Sequence, residues 1–233
     1  MPLFYLKYTI NESARGDCIT LFGGMTKEMD LKDMGENVKL LGRWSTVAES
    51  AGYCICEAKD AKSLNNWLLN WAIMAKIEAY PIVDDNTARE IILKEKPSYE
   101  VDYSKVGFEA REGESLYFIE YKFRDDMREQ GYNAFAKLSK EEDIQDAGNN
   151  VCYGRWHNLG TGSGVAICSS KGEVDLYTWA FNWTGMCDCI IKPVVSDRDC
   201  RLNIVGKPDF DSKHAALMEK MKNPSGKKSS WFR

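Results

Sequence analysis

Two arginines stand beside tryptophans in the same three-residue word, Gly42-Arg43-Trp44 and Gly154-Arg155-Trp156. A guanidinium is a planar fork of donors that matches a carboxylate or an enolate, and a neighbouring indole can wall an aromatic ligand. The same residues could instead stack on each other, or cap a helix C-terminus, and serve only the fold. The second word continues with His157 and the first with Ser45. Imidazole titrates near neutrality, so His157 is a candidate general base or haem-type ligand, and with Arg155 it forms the candidate catalytic pair. The structural alternative is a strand-end histidine bonded to backbone. Trp67, Asn70 and Trp71, and again Trp179, Asn182 and Trp183, fall at i, i+3 and i+4, one helical face. The tryptophans suit a core. The asparagines need a partner, either a neighbouring backbone group or a ligand in a pocket. Candidate ligand-binding residues are therefore Arg43, Trp44, Trp156, Asn70, Trp71, Asn182 and Trp183.

Other patterns carry less chemistry. Among eight cysteines, Cys54/Cys56 and Cys187/Cys189 are spaced C-x-C rather than C-x-x-C, and only two histidines could complete a metal set. They read as buried small hydrophobes in a reduced chain, so no metal centre and no cofactor is expected. Gly160 to Gly164, "GTGSG", imitates a phosphate loop but lies between two strands with no following helix, so it reads as a hairpin turn.

The elements that must position these residues come twice. Shifted by 112, the chain lies over itself without a gap from Gly42 to Asp85, with 15 identities in 44 positions. "LFYLKY" at Leu3 matches "LYFIEY" at Leu116 at a shift of 113. The chain is an internal duplication. Each copy reads as an alternating strand, a helical stretch, two strands joined by a turn, a helix opening at Asp60 in the first copy, and a fourth strand. That β-α-β-β-α-β order is the ferredoxin-like pattern. Expected boundaries are 1–97 for the first repeat, 98–112 for a linker, 113–205 for the second repeat and 206–233 for a C-terminal tail. A four-stranded sheet with helices on one face leaves its other face bare. Two such repeats packed sheet to sheet bury what neither buries alone, so the fold class is α+β, a single-chain pseudo-dimeric α/β barrel.

With 233 residues and a net charge of −4, the chain is large enough for a full core and carries no overall attraction for nucleic acid. No apolar run reaches the ~18 residues of a membrane span, and no secretion signal is recognisable, so a cytoplasmic protein is expected. The tail differs, with seven Lys or Arg against three acids. "SKHAALMEKMK" can form a short amphipathic helix, and "NPSGKKSSWFR" has disordered composition, a possible connector to a protein partner or to other copies.

The order of elements resembles the dimeric α/β-barrel superfamily, which includes antibiotic-biosynthesis monooxygenases, muconolactone isomerase and chlorite dismutase. "VKLLGRW", "NWLLNWA" and "YPIVDD" look more closely like a small bacterial domain family within it that carries Gly-Arg-Trp-His on its second strand. Only Gly154 to His157 keeps that word whole. The resemblance implies a small aromatic or lipid-like ligand, bound or turned over by a cofactor-independent oxygenase or isomerase, with one intact pocket in the second repeat. The alternative is an assembly protein that uses the duplicated domain as a building block and the basic tail as a connector.

Overall fold

Residues 1–101 and 108–222 are described by a computed structural model of the chain. In the first copy, β1 (Leu3–Ile10) is followed by α1 (Arg15–Gly24), α2 (Lys27–Met34), β2 (Val38–Thr46), β3 (Ala51–Ala58), α3 (Ala61–Trp71), β4 (Ala75–Asp84) and α4 (Asp85–Leu93). The second copy repeats the order as β5 (Ser115–Phe123), α5 (Arg128–Lys137), α6 (Lys140–Ala147), β6 (Val151–Asn158), β7 (Ser163–Ser170), α7 (Glu173–Trp183), β8 (Cys187–Ser196) and α8 (Asp197–Val205). The tail adds α9 (Phe210–Lys222), the expected amphipathic helix. The docking segment expected beyond it lies outside the described residues.

Two features differ from the sequence expectation. The first helical stretch of each copy is broken in two. Thr26 and Ser139 sit extended at the breaks and cap the helices that follow, accepting from the amides of Met29 and Glu142. Ser139 and Glu142 complete a reciprocal capping box. Each copy also ends in an extra helix, α4 or α8, capped by Asp84 or Ser196. Asp60 caps α3 as its sequence context predicts, and Leu159 to Gly162 form the turn between β6 and β7.

The chain forms two compact units, Met1–Tyr80 with Val195–Arg233, and Pro81–Val194. They do not coincide with the repeats, because each unit contains the closing segment of the other copy. In the first unit β3 pairs antiparallel with both β1 and β2, and the last residues of β8 join β2 as Trp44↔Ser196 and Ser45↔Val195. In the second unit β7 pairs with β5 and β6, β8 pairs with β5, and the end of β4 joins β6 as Val83↔His157 and Asp84↔Trp156. The fold is thus α+β with extensive antiparallel sheet. The exchange delivers α4 to the second unit and α8 to the first.

Alternation along β2 and β6 sorts the Gly-Arg-Trp words between two faces. Trp44 and Trp156 are almost wholly buried, at 1% and 3% exposure. Their rings lie over Gly42 and Gly154, where any added Cβ would collide with the indole. Arg43 and Arg155 point to the opposite face, where they meet side chains of α1, α2 and α8 and of α4, α5 and α6 respectively. There Leu6, Cys54, Cys56, Leu64 and Trp67 form the first core, and Ile119, Ala166, Cys168, Leu176 and Trp179 the second.

Candidate functional site

The Arg155 guanidinium is fully committed inside the second unit. Its Nε donates to Asp85 Oδ1 at 2.9 Å and its Nη2 to Asp85 Oδ2 at 2.7 Å. Nη1 and Nη2 also reach the Asp143 carboxylate at 3.2 and 2.9 Å. Asp85 opens α4 and is 0% exposed. Four residues on, Arg89 is equally buried and donates to the Ala136 and Leu138 carbonyls and to the Tyr99 hydroxyl. Both guanidiniums lie over the Phe135 ring, 4.5 Å away for Arg89 and 4.9 Å for Arg155. Two acids thus balance two bases.

His157 completes this cluster. Its Nε2 lies 2.6 Å from Asp85 Oδ1, and its Nδ1 meets the Tyr121 hydroxyl. Burial lowers the imidazole's proton affinity more than the Asp85 carboxylate restores it, so the ring is neutral at neutral pH. Nε2 then carries the hydrogen toward Asp85, and Nδ1 accepts the hydrogen of Tyr121. Burial alone would raise the carboxyl of Asp85, but Arg155 and His157 outweigh it and hold the group far below the usual carboxylate range. Burial likewise pushes the Tyr121 phenol well above its ordinary value, so it is neutral. Gly164 lets the phenol in, because a Cβ there would strike both the Tyr121 hydroxyl and the Trp156 carbonyl.

Tyr121, His157 and Arg155 are among the residues that line a cavity of about 70 Å³, whose wall is largely apolar and includes Ile119, Phe123, Phe135, Trp179 and Trp183 with Cys187 and Cys189. The first unit holds a larger counterpart of about 110 Å³. There Arg43 Nε donates to Asp197 at 2.5 Å and Arg43 Nη2 to Asp30 at 3.3 Å, while Arg201 bonds the same two acids at 3.1 and 2.5 Å. Both of these guanidiniums lie over the Phe22 ring, 4.8 and 4.2 Å away, as the others do over Phe135. In place of the imidazole, the Ser45 hydroxyl lies 3.2 Å from that of Tyr8.

Several expectations for these residues need correction. Trp44 and Trp156 line neither cavity, because strand alternation turns them to the opposite face. Asn70 and Asn182 do not point into a pocket. Asn70 donates to Asp33 Oδ1 at 3.0 Å, beside the Trp67 and Trp71 indoles at 2.8 and 2.7 Å. Asn182, Trp179 and Trp183 converge in the same way on Asp146, at 3.0, 2.8 and 2.7 Å. Arg43 and Arg155 line the cavities, but their charge is consumed by aspartates rather than offered to a ligand carboxylate. His157 is bonded to side chains, not to backbone. Trp71 and Trp183 do line cavities. The thiols of Cys54 and Cys56 are pushed up to about 12 by burial, as suits small hydrophobes. Among the described residues no three His, Cys, Asp or Glu side chains are grouped to hold a metal ion.

The residues that sequence reasoning missed were visible as recurrences. Asp85/Asp197 lie inside the aligned block, and Arg89/Arg201 follow at the same shift of 112. Tyr8/Tyr121, Phe22/Phe135 and Asp30/Asp143 recur at 113.

The lowered affinity of His157 makes a prediction. As pH falls below about 6.5, an unfolded histidine takes up a proton that the buried one resists, so stability falls with pH. The Asp85 contribution is present above about pH 4 and is lost only below it. Between pH 7.5 and 5, urea unfolding of the native chain should show declining stability, and His157→Ser should flatten the decline. An unchanged slope would mean that folding leaves the proton affinity of His157 unaltered, and a steeper decline in the variant would mean that the fold raises it.

Residues 2–96 and 115–204 match the profile of a family described as a domain of unknown function, DUF3303. No curated protein matches the sequence. Among solved structures, a mutant chlorite dismutase from Candidatus Nitrospira defluvii aligns with 87% of this chain and 94% of its own, at 8% identity and a TM-score of 0.50, a likeness of fold. Rhodococcus jostii DypB, a variant in complex with haem, aligns over 86% and 94% at 9% identity and 0.49. A dye-decolorizing peroxidase from Bacteroides thetaiotaomicron aligns over 86% and 94% at 10% identity and 0.48. Among the described residues no helix is long and apolar enough to cross a membrane.

Proposed function

The chain belongs to the DUF3303 family, and from that premise we propose that its second copy binds a small neutral ring compound and takes the proton of a phenol or enol hydroxyl. On this reading the duplicated chain stands in for the two subunits of a dimeric α/β barrel. The Gly-Arg-Trp-His word of β6 is its intact form and the Gly-Arg-Trp-Ser word of β2 an altered one. One observation carries the reading: the Tyr121–His157–Asp85 chain begins at an apolar cavity and ends on a carboxylate that water does not reach.

The tautomer fixes the direction of transfer. A ligand hydroxyl donating to the Tyr121 oxygen passes its proton there as Tyr121 passes its own to His157 Nδ1. The imidazolium so formed is held by Asp85. What remains in the cavity is a phenolate or enolate, the electron-rich species from which tautomerisation or reaction with oxygen proceeds. Because Asp85 and Asp143 already balance Arg89 and Arg155, the apolar cavity admits a neutral ligand rather than an unpaired anion, and the phenolate formed there is balanced by the imidazolium formed in the same step.

The residues present do not fit a haem. Both nitrogens of His157 are engaged within the protein, the cavity is about 70 Å³, and the other histidine, His214, stacks on Phe210 away from both cavities.

The test is spectroscopic. With 4-nitrophenol as probe, the native chain should show the phenolate band of bound ligand at a pH where the free phenol is neutral. His157→Ser and Tyr121→Phe should each bind the probe without that band. Bound probe that stays neutral in the native chain, or a band that survives both substitutions, would overturn the proposal.

A further inference from the structure

We propose that the first copy is a second ligand site, which holds a neutral single-ring compound by its hydroxyl and leaves the proton in place. The ligand class is the one proposed for the second copy, but the argument rests on the first cavity's own geometry. Arg43 and Arg201 face Asp30 and Asp197 across 2.5 to 3.3 Å. No net charge is left for a carboxylate ligand, and burying an unpaired anion beside this balanced network is costly. The remaining wall is apolar, including Leu6, Ile19, Phe22, Trp67 and Ile204, so the cavity accepts hydrocarbon.

The polar groups facing that hydrocarbon include the Tyr8–Ser45 pair, with the Cys200 thiol also bonded to Ser45. Neither hydroxyl is a base. Burial holds the Tyr8 phenol far above its ordinary value, so it is protonated. The pair can donate one hydrogen bond and accept one, which matches a ligand hydroxyl and fits a bare hydrocarbon less well. Where the second copy places an imidazole, the first places a hydroxymethyl group. This cavity is about 110 Å³ against about 70 Å³ for its counterpart. Loss of the imidazole therefore removes the base and enlarges the volume in one step. An apolar cavity of roughly 150 Å³ is known to take up benzene, so a partly enclosed cavity of about 110 Å³ takes no more than a single ring.

The full chain can be tested by 19F NMR with 4-fluorophenol, fluorobenzene and 4-fluorobenzoate. We expect 4-fluorophenol to bind about fivefold more tightly than fluorobenzene, the value of one hydrogen bond, and 4-fluorobenzoate more weakly than either. Ser45→Phe should fill the cavity and remove one binding site while the phenolate band of 4-nitrophenol in the second copy persists. Ser45→Ala combined with Tyr8→Phe, which together delete both hydroxyls, should bring 4-fluorophenol down to the affinity of fluorobenzene and leave fluorobenzene little changed. The proposal fails if Ser45→Phe, folded by circular dichroism, keeps every binding site, if the folded Tyr8→Phe/Ser45→Ala variant binds 4-fluorophenol as the native chain does, or if 4-fluorobenzoate binds as tightly as the phenol. Failure of the second-copy reading would show separately, as absence of the phenolate band with this site intact.

Discussion

Replacing Asp85 by Ala should lower the stability of the chain by about 3–5 kcal/mol, the usual cost of stranding one member of a buried ion pair. Asp85 is 0% exposed and accepts three hydrogen bonds from Arg155 and one from His157. Without it Arg155 keeps only the Asp143 carboxylate, and the Nε2 hydrogen of His157 loses its acceptor. For a chain of this size the loss corresponds to a drop of about 10–15 °C in melting temperature. Asp85→Asn keeps an acceptor but removes the charge, so it should also destabilise strongly. A drop of only a degree or two for Asp85→Ala would mean that the cavity relaxes or admits water, and the buried network would then be no anchor of the fold.

Arg155→Met separates charge from shape. It leaves Asp85 facing His157 without the neighbouring cation, so the proton affinity of the imidazole should rise. The native decline of stability with falling pH should therefore be smaller in this variant. Measured side by side, Asp85→Ala and Arg155→Met should therefore diverge as pH is lowered from 7.5 to 5.5.

These partners were only partly legible in the sequence. The 112-residue recurrence made the copies visible, and alternation with helical spacing located most strands and the α3/α7 helices. The chemistry was harder to place because its partners are distant in sequence. His157 meets Tyr121 across β7, and Asp85 arrives from the far end of the other copy, as the closing segment that the second unit takes from the first repeat. Neighbours in sequence misled for a local reason: Trp44 and Trp156 stand next to the arginines but, one residue along a strand, face the other way. Asn70 and Asn182 were correctly read as needing a partner. That partner is an aspartate on the short second helix of each copy, a helix whose existence depends on the caps Thr26 and Ser139 rather than on apolar periodicity.

That aspartate carries the second large effect. Asp33 accepts from Trp67 Nε1, Trp71 Nε1 and Asn70 Nδ2 at 2.8, 2.7 and 3.0 Å, so one carboxylate fixes three side chains of α3. Asp33→Ala strands the donor of Trp67, itself only 5% exposed, and loosens two more. One buried unsatisfied donor costs about 1–3 kcal/mol, and each weakened bond to a charged acceptor adds up to a similar amount. The expected loss is about 3 kcal/mol, with a melting temperature lower by about 6–12 °C. Asp33→Asn, which keeps an acceptor for one indole, should recover part of it. Asp146→Ala should cost less, because Asp146 is more exposed than Asp33 and water can replace the lost acceptor. Trp67 and Trp71 both line the first cavity, so Asp33→Ala should also weaken 4-fluorophenol binding there while leaving the 4-nitrophenol phenolate band of the second copy unchanged. Equal effects of Asp33→Ala and Asp146→Ala on both readouts would show that the clamps act on the chain as a whole and not on the cavity each one borders.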